Sequence, residues 1–82
     1  MSNHPNRGRI IVLPLDSTYR KYHHKVMSDA LARHNGWIAE AMIEDGLLIR
    51  SKASGLLAIF RGDRIVSVDQ KRAETALAAT AV

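Results

Sequence analysis

The side chains of this sequence best suited to a defined chemistry are basic ones that can bind phosphate groups. Five of the twelve Lys and Arg residues lie in the first 28 positions, where Asp16 is the only acid. The rest of the chain carries seven basic and seven acidic residues, so the net charge of +4 belongs to the first third. A positive field of this kind favours an anionic partner, and nucleic acid, DNA before RNA, is the first candidate.

The predicted phosphate contacts fall in three segments: a polar N-terminal arm, one face of a first helix, and the turns of a later hairpin region. On a helix, Lys21 and Lys25 are neighbours at i, i+4 spacing. Like charges at that spacing are mildly destabilising, which favours a partner that supplies negative charge. The same side chains also fit an ordinary solvated helix face. The predicted nucleic-acid-binding residues are Arg7, Arg9, Arg20, Lys21, His24, Lys25, Arg50, Lys52, Arg61 and Arg64.

The histidines, serines and carboxylates form no recognisable catalytic or metal-binding pattern. His23 and His24 are adjacent and would point about 100° apart on a helix. The chain has no cysteine, and no HxxxH or HExxH spacing occurs. The serines fall in cap, surface or strand-and-turn contexts, and Glu40 and Glu44 lie one turn apart on a helix face expected to be solvated. We therefore predict neither an enzyme nor a metal or other cofactor site.

A chain of 82 residues forms one small domain. We divide it into a flexible arm (residues 1–8), an α+β domain (9–68) and a C-terminal helix or tail (69–82). Arg9–Leu13 is a β-branched run ended by Pro14, which indicates a strand. Asp16 or Ser17 can cap a helix that runs to about Arg33. The apolar positions of that helix predict one buried stripe: Tyr19, Tyr22, Val26, Met27, Ala30 and Leu31.

The second half of the chain is expected to form a helix, three strands and a last helix. Asn35 can cap a second helix over Trp37–Asp45, which Gly46 would end in the left-handed conformation. Gly62-Asp63 is suited to the centre of a hairpin turn, and Asp69 to the cap of an alanine-rich last helix. Strands are predicted at Leu47–Lys52, Leu56–Phe60 and Ile65–Val68. The predicted fold is a single α+β domain in β-α-α-β-β-β-α order, with the helices packed on a three-stranded antiparallel meander.

The stretch Met27–Phe60 resembles in its pattern the second half of a winged helix. It has a helix, a turn at Asn35-Gly36, a second helix with the exit EDGLLIR, and a hairpin with basic residues. The resemblance implies DNA binding. Because the second predicted helix carries acidic residues (Glu40, Glu44 and Asp45), which repel phosphates, we place the DNA on the first helix, the arm and the hairpin turns.

Two functional hypotheses remain. The first is a small basic DNA-binding protein of transcription regulation that acts as a homodimer. The second is a non-enzymatic protein-interaction module, such as a small inhibitor or adaptor of a larger assembly, which the doubly apolar strand Arg9–Leu13 favours because such a surface suits an interface. No apolar run approaches the ~18 residues of a membrane span, and the lack of cysteine fits a reducing compartment. We predict a cytoplasmic protein with no membrane contact.

Overall fold

A five-stranded antiparallel sheet forms the centre of the protein in the computed structural model, which describes residues 10–80. The strands lie side by side in chain order. One helix follows the first strand and another follows the last, so the protein is a small α+β domain, as predicted. The elements are β1 (Val12–Leu13), α1 (Thr18–Leu31), β2 (Trp37–Ile43), β3 (Gly46–Ser51), β4 (Leu57–Arg61), β5 (Arg64–Ser67) and α2 (Gln70–Thr80).

Both faces of the central strands are apolar, and a helix covers each face. In β3, Leu47 and Ile49 belong to one half of the core and Leu48 to the other, and all three are fully buried. Helix α1 packs on the first half through Leu31, and α2 packs on the second through Ala73. Burial on both faces explains why these strands appear in the sequence as short continuous apolar runs.

The second predicted helix, Trp37–Asp45, is wrong, because residues Trp37–Ile43 form strand β2. This strand pairs with β3 through a two-residue turn at Glu44-Asp45. The observed order is therefore β-α-β-β-β-β-α instead of the predicted β-α-α-β-β-β-α. The winged-helix resemblance depended on that helix, and residues 10–80 do not contain it.

A β-bulge in β2 explains why the helical pattern was misleading. The pairing of β2 with β3 shifts register between Ala39 and Ala41. As a result, Ala39 and Met42 lie on the α1 side of the sheet, whereas Ala41 and Ile43 lie on the α2 side. A regular strand repeats every two residues, but the extra residue of a bulge lengthens one interval to three. Combined with the alanines of this segment, that interval imitates helical spacing.

The prediction that Gly46 ends a helix in the left-handed conformation is also wrong. Gly46 opens β3, and its φ lies outside the left-handed region. The backbone of Phe60 on β4 passes so close that a Cβ at Gly46 would collide with the carbonyl oxygen of Phe60 and lie 3.1 Å from its carbonyl carbon. Glycine is required here by a close backbone approach between two strands.

The other boundaries agree with the predictions more closely. The Ser17 hydroxyl caps α1 by accepting a hydrogen bond from the backbone N–H of Arg20 at 3.1 Å. Asp69 accepts one from the backbone N–H of Arg72 at 3.1 Å, at the start of α2. Gly62-Asp63 forms the turn between β4 and β5. The predicted flexible arm, residues 1–8, lies outside the described residues.

Candidate nucleic-acid interface

The part of α1 from Tyr19 to Val26 carries an exposed aromatic and apolar stripe that was expected to be buried. Tyr19, Tyr22 and Val26 are 72%, 67% and 45% exposed. The helix contacts the core through Met27, Ala30 and Leu31, which lie in its C-terminal half. The predicted buried stripe is therefore correct for the last three of its six residues and wrong for the first three, which are left uncovered. We call the exposed side of α1 the outer face.

Lysines lie beside this stripe on the same outer face. Lys21 and Lys25 are exposed, and they are neighbours because they are four residues apart on the helix. The Lys25 ammonium lies 3.1 Å from the Asp29 carboxylate, and the two side chains are 74% and 68% exposed. Within residues 10–80, no ion pair is formed by Lys21. Tyr22 is a neighbour of Lys25 on the helix surface, because the two are three residues apart. Lys21 directly precedes Tyr22 and therefore points about 100° away from it.

The other two predicted contacts on α1 belong to a different side of the helix. Arg20 and His24 are only partly exposed. The Arg20 guanidinium donates to the backbone oxygen of Pro14 at 3.3 Å and lies 3.4 Å from the Asp16 carboxylate. Arg20 thus fastens the segment that precedes the helix. The predicted basic face, in which all four residues shared one surface, is divided by the structure into an outer lysine pair and an inner pair.

Arg50 contacts two carboxylates and a backbone carbonyl oxygen. Its guanidinium lies 3.1 Å from Glu40 on β2 and 3.4 Å from Glu74 on α2, and donates to the backbone oxygen of Gly55 at 2.9 Å. Hydrogen bonds to Glu40 and then Glu74 raise the pKa of Arg50 above its ordinary value. Two carboxylates already neutralise this cation, so we infer that Arg50 joins β2, the β3–β4 turn and α2 and does not contact phosphates.

The basic residues at the turns do not form one surface. Lys52 lies in the turn between β3 and β4, whereas Arg61 and Arg64 flank the turn at the opposite end of β4. Arg61 lies 3.0 Å from the Asp45 carboxylate. The remaining predicted contacts, Arg7 and Arg9, fall outside the described residues.

An acidic border limits the outer face of α1 on one side. A cavity of about 340 Å³ lies between α1 and the β2–β3 turn, with His23 and Val26 on the helix side and Glu44 and Asp45 on the turn side. Carboxylates repel phosphates. An anionic partner would therefore lie on the side of α1 that carries the lysines, away from this turn.

Among residues 10–80, no group of three or more histidine, aspartate or glutamate side chains is placed to hold a metal ion. None of the helices in that range is long and apolar enough to cross a membrane.

The sequence contained no signal for the exposure of the tyrosines. Tyr19 and Tyr22 are three residues apart, and Tyr22 and Val26 are four residues apart, which is the spacing of a buried stripe. Whether such a stripe is buried depends on how far the sheet extends beneath the helix. The periodicity of the sequence contains no information about that distance. Lys21 and Lys25 are exposed, as the sequence-based prediction of a basic helix face requires, and their contact with phosphates stays a prediction.

Comparison of the chain with protein-family models, with curated proteins and with solved structures found no match.

Proposed function

We propose that this protein binds nucleic acid through the outer face of α1, with Lys21 and Lys25 in contact with phosphates. The observation that carries the proposal is that two lysines and two tyrosines are all exposed on one helix, with Lys25 and Tyr22 three residues apart. Basic side chains supply sequence-independent affinity for the phosphate backbone, and aromatic side chains offer contacts to sugars and bases. In its fuller form the proposal is a DNA-binding regulator that acts as a homodimer.

The ion pair between Lys25 and Asp29 does not oppose this function. Both side chains are more than two-thirds exposed, and exposed pairs of this kind contribute little to stability because water screens them. A phosphate can therefore replace the carboxylate at small cost. Removing the carboxylate should favour binding, so we expect Asp29→Asn to raise the affinity for nucleic acid.

Fluorescence anisotropy with labelled oligonucleotides tests the proposal. The unaltered protein is titrated against a single strand and a duplex of random sequence at about 50 and 200 mM salt. We expect binding that weakens steeply with salt, because each phosphate contact releases counterions. Lys21→Gln and Lys25→Gln should each reduce the slope of log K against log salt by roughly 0.7 on a single strand or 0.9 on a duplex.

Lys71→Gln is the matched control, because Lys71 is an exposed lysine on α2, on the other side of the sheet. It removes the same charge from the whole protein but none from the outer face of α1. If Lys71→Gln weakens binding as much as Lys21→Gln, the contact is a general charge effect and the assignment to α1 is wrong. Absence of binding to either oligonucleotide at the lower salt would contradict the function itself.

The exposed stripe also supports the second hypothesis, a protein-interaction module, here with a second copy of the chain as the partner. Leu15, which lies just before the helix, is also 41% exposed. Such a surface suits self-association. A symmetric pairing would, however, bring together two faces that each carry two lysines against one aspartate. Sedimentation velocity at two protein concentrations, with Val26→Lys as the disrupting variant, distinguishes this module from a monomer.

A further inference from the structure

We infer that the ligand of the outer face is single-stranded nucleic acid, with bases stacked on the rings of Tyr19 and Tyr22. This inference rests on the proposed function and adds to it the strandedness of the ligand and the side chains that contact bases. Tyr19 and Tyr22 are the only tyrosines of the chain, and both lie on this one helix surface.

The rings are available for stacking in the structure. Tyr19 and Tyr22 are the two most exposed large hydrophobic side chains among the described residues. Tyr19 lies against the imidazole of His23 on one side, with 5.7 Å between the ring centroids and an interplanar angle of 41°. The second ring, that of His23, lies about one turn after Tyr19 along the helix. No hydrogen bond to either phenol is formed within residues 10–80 that would hold the ring away from a base.

The positive charge of the lysines on this helix indicates what kind of molecule can bind to the tyrosine rings. Lys25 neighbours Tyr22 at i, i+3 spacing and Lys21 neighbours Lys25 at i, i+4 spacing, so a ligand that reaches Tyr22 and both lysines must present an aromatic or apolar group together with negative charges. A single strand does so at every nucleotide, because its bases are unstacked from a partner and its phosphates alternate with them. The combination of a basic surface with stacking aromatic side chains is the usual arrangement for single-strand binding without sequence preference.

A duplex fits this surface less well. Its base faces are covered by their neighbours, so tyrosines on a helix would have to lie in a groove without stacking or force base pairs apart at a cost of a few kcal/mol. Readout in the major groove uses polar side chains that hydrogen-bond to base edges. The outer face of α1 presents rings and an aliphatic side chain at its centre instead.

Three probes of equal length, about 12 nucleotides, test the inference: a single strand of mixed sequence, the corresponding duplex, and a single strand made of abasic sugar-phosphate units. The abasic strand keeps the phosphates and removes the stacking partners. We expect the mixed single strand to bind more tightly than both other probes. Tyrosine emission should be quenched by the mixed strand and unaffected by the abasic one.

Tyr19→Ala and Tyr22→Ala should each weaken binding of the mixed strand by roughly 5- to 150-fold, the range for loss of one base–aromatic stack. They should leave binding of the abasic strand unchanged. Tyr22→Phe is the conservative control, because it keeps the ring and removes only the hydroxyl, and its affinity should match that of the unaltered protein. Both tyrosines are exposed and alanine is a good helix former, so the variants should fold, which the emission of Trp37 can verify.

The possible outcomes separate this inference from the function on which it rests. Equal affinity for the mixed and abasic strands, with sensitivity to Lys21→Gln retained, would overturn stacking and leave phosphate binding in place. Preference for the duplex would overturn the single-strand assignment. Equal losses in Tyr22→Ala and Tyr22→Phe would mean that the hydroxyl and not the ring makes the contact. Salt-independent self-association lost in Tyr22→Ala, without binding to any probe, would contradict both the inference and the proposed function.

Discussion

Replacing Gly46 with alanine tests the close approach of β3 and β4 that the structure contains. The added Cβ would collide with the carbonyl oxygen of Phe60 and lie 3.4 Å from the Cα of Arg61. Both obstacles are backbone atoms of a paired strand, since Leu47, the next residue of β3, is the register partner of Phe60. A side-chain rotation cannot relieve the contact, so one strand must move relative to the other.

The expected cost follows from this geometry. Overpacking of a dense interior costs typically about 1–3 kcal/mol, and a backbone obstacle places Gly46→Ala at the upper end. A domain of this size has a total free energy of unfolding of about 4–12 kcal/mol. A loss of about 3 kcal/mol is therefore a large share of the total, and it corresponds to a decrease of roughly 12–24 °C in Tm.

Urea unfolding followed by the emission of Trp37, the single tryptophan, measures the change. Gly55→Asn is the control, because Gly55 has φ +77 and nothing lies within 4 Å of a Cβ placed there. Asparagine tolerates the left-handed conformation, so this variant should lose no more than about 1 kcal/mol.

Gly46→Asn distinguishes the observed position of Gly46 in strand β3 from the position at a helix end that was predicted from sequence. If Gly46 ended a helix in the left-handed conformation, asparagine would be well tolerated there. In the structure it must collide with β4 as alanine does. A free energy of unfolding within about 0.5 kcal/mol of the unaltered protein for both Gly46 variants would refute the observed packing of β3 on β4.

Four other side chains can be tested by substitution. The Gln70 side-chain amide accepts a hydrogen bond from the N–H of Leu57 and donates one to its carbonyl oxygen, both at 2.7 Å. Gln70→Ala removes both and should lower the free energy of unfolding by about 1–3 kcal/mol. Unchanged hydrogen exchange at the Leu57 amide would contradict this. Ser28→Ala removes a buried hydroxyl with no partner among the described residues and should stabilise the protein by about 0.5 kcal/mol. Ser17→Ala removes the cap of α1 and should destabilise it by about 1 kcal/mol. Shifts in Tm of the same sign for both variants would contradict the different roles given to these two serines. Arg50→Met should lower Tm equally at about pH 7 and pH 10, because the raised pKa of Arg50 keeps the guanidinium charged throughout this range; a smaller difference at the higher pH would show that the ion pairs are not responsible.

The elements predicted correctly from sequence depend on interactions within a few residues. The cap at Ser17, the cap at Asp69 and the turn at Gly62-Asp63 each need only a side chain or a backbone conformation and its immediate neighbours. The short apolar runs of β3, β4 and β5 also indicated strands, because a strand buried on both faces has a continuous apolar sequence.

The errors in the predicted fold occur where the outcome depends on distant residues. β2 has a helix-like composition and a bulge that disturbs its repeat, and it becomes a strand because β1 and β3 pair with it on either side. Such pairing overrides local propensity.

The amino-acid sequence alone determined a single α+β domain, the positions of its caps and tight turns, and an excess of positive charge in the first third of the chain. The tertiary structure decided the surroundings of each basic side chain. It placed carboxylates against Arg50, Arg61 and Lys25 and turned Arg20 back toward the segment before α1. It left Lys21, Lys25 and two tyrosines exposed on α1. Charge and periodicity are properties of the chain, whereas burial and ion pairing arise only when residues distant in sequence come into contact.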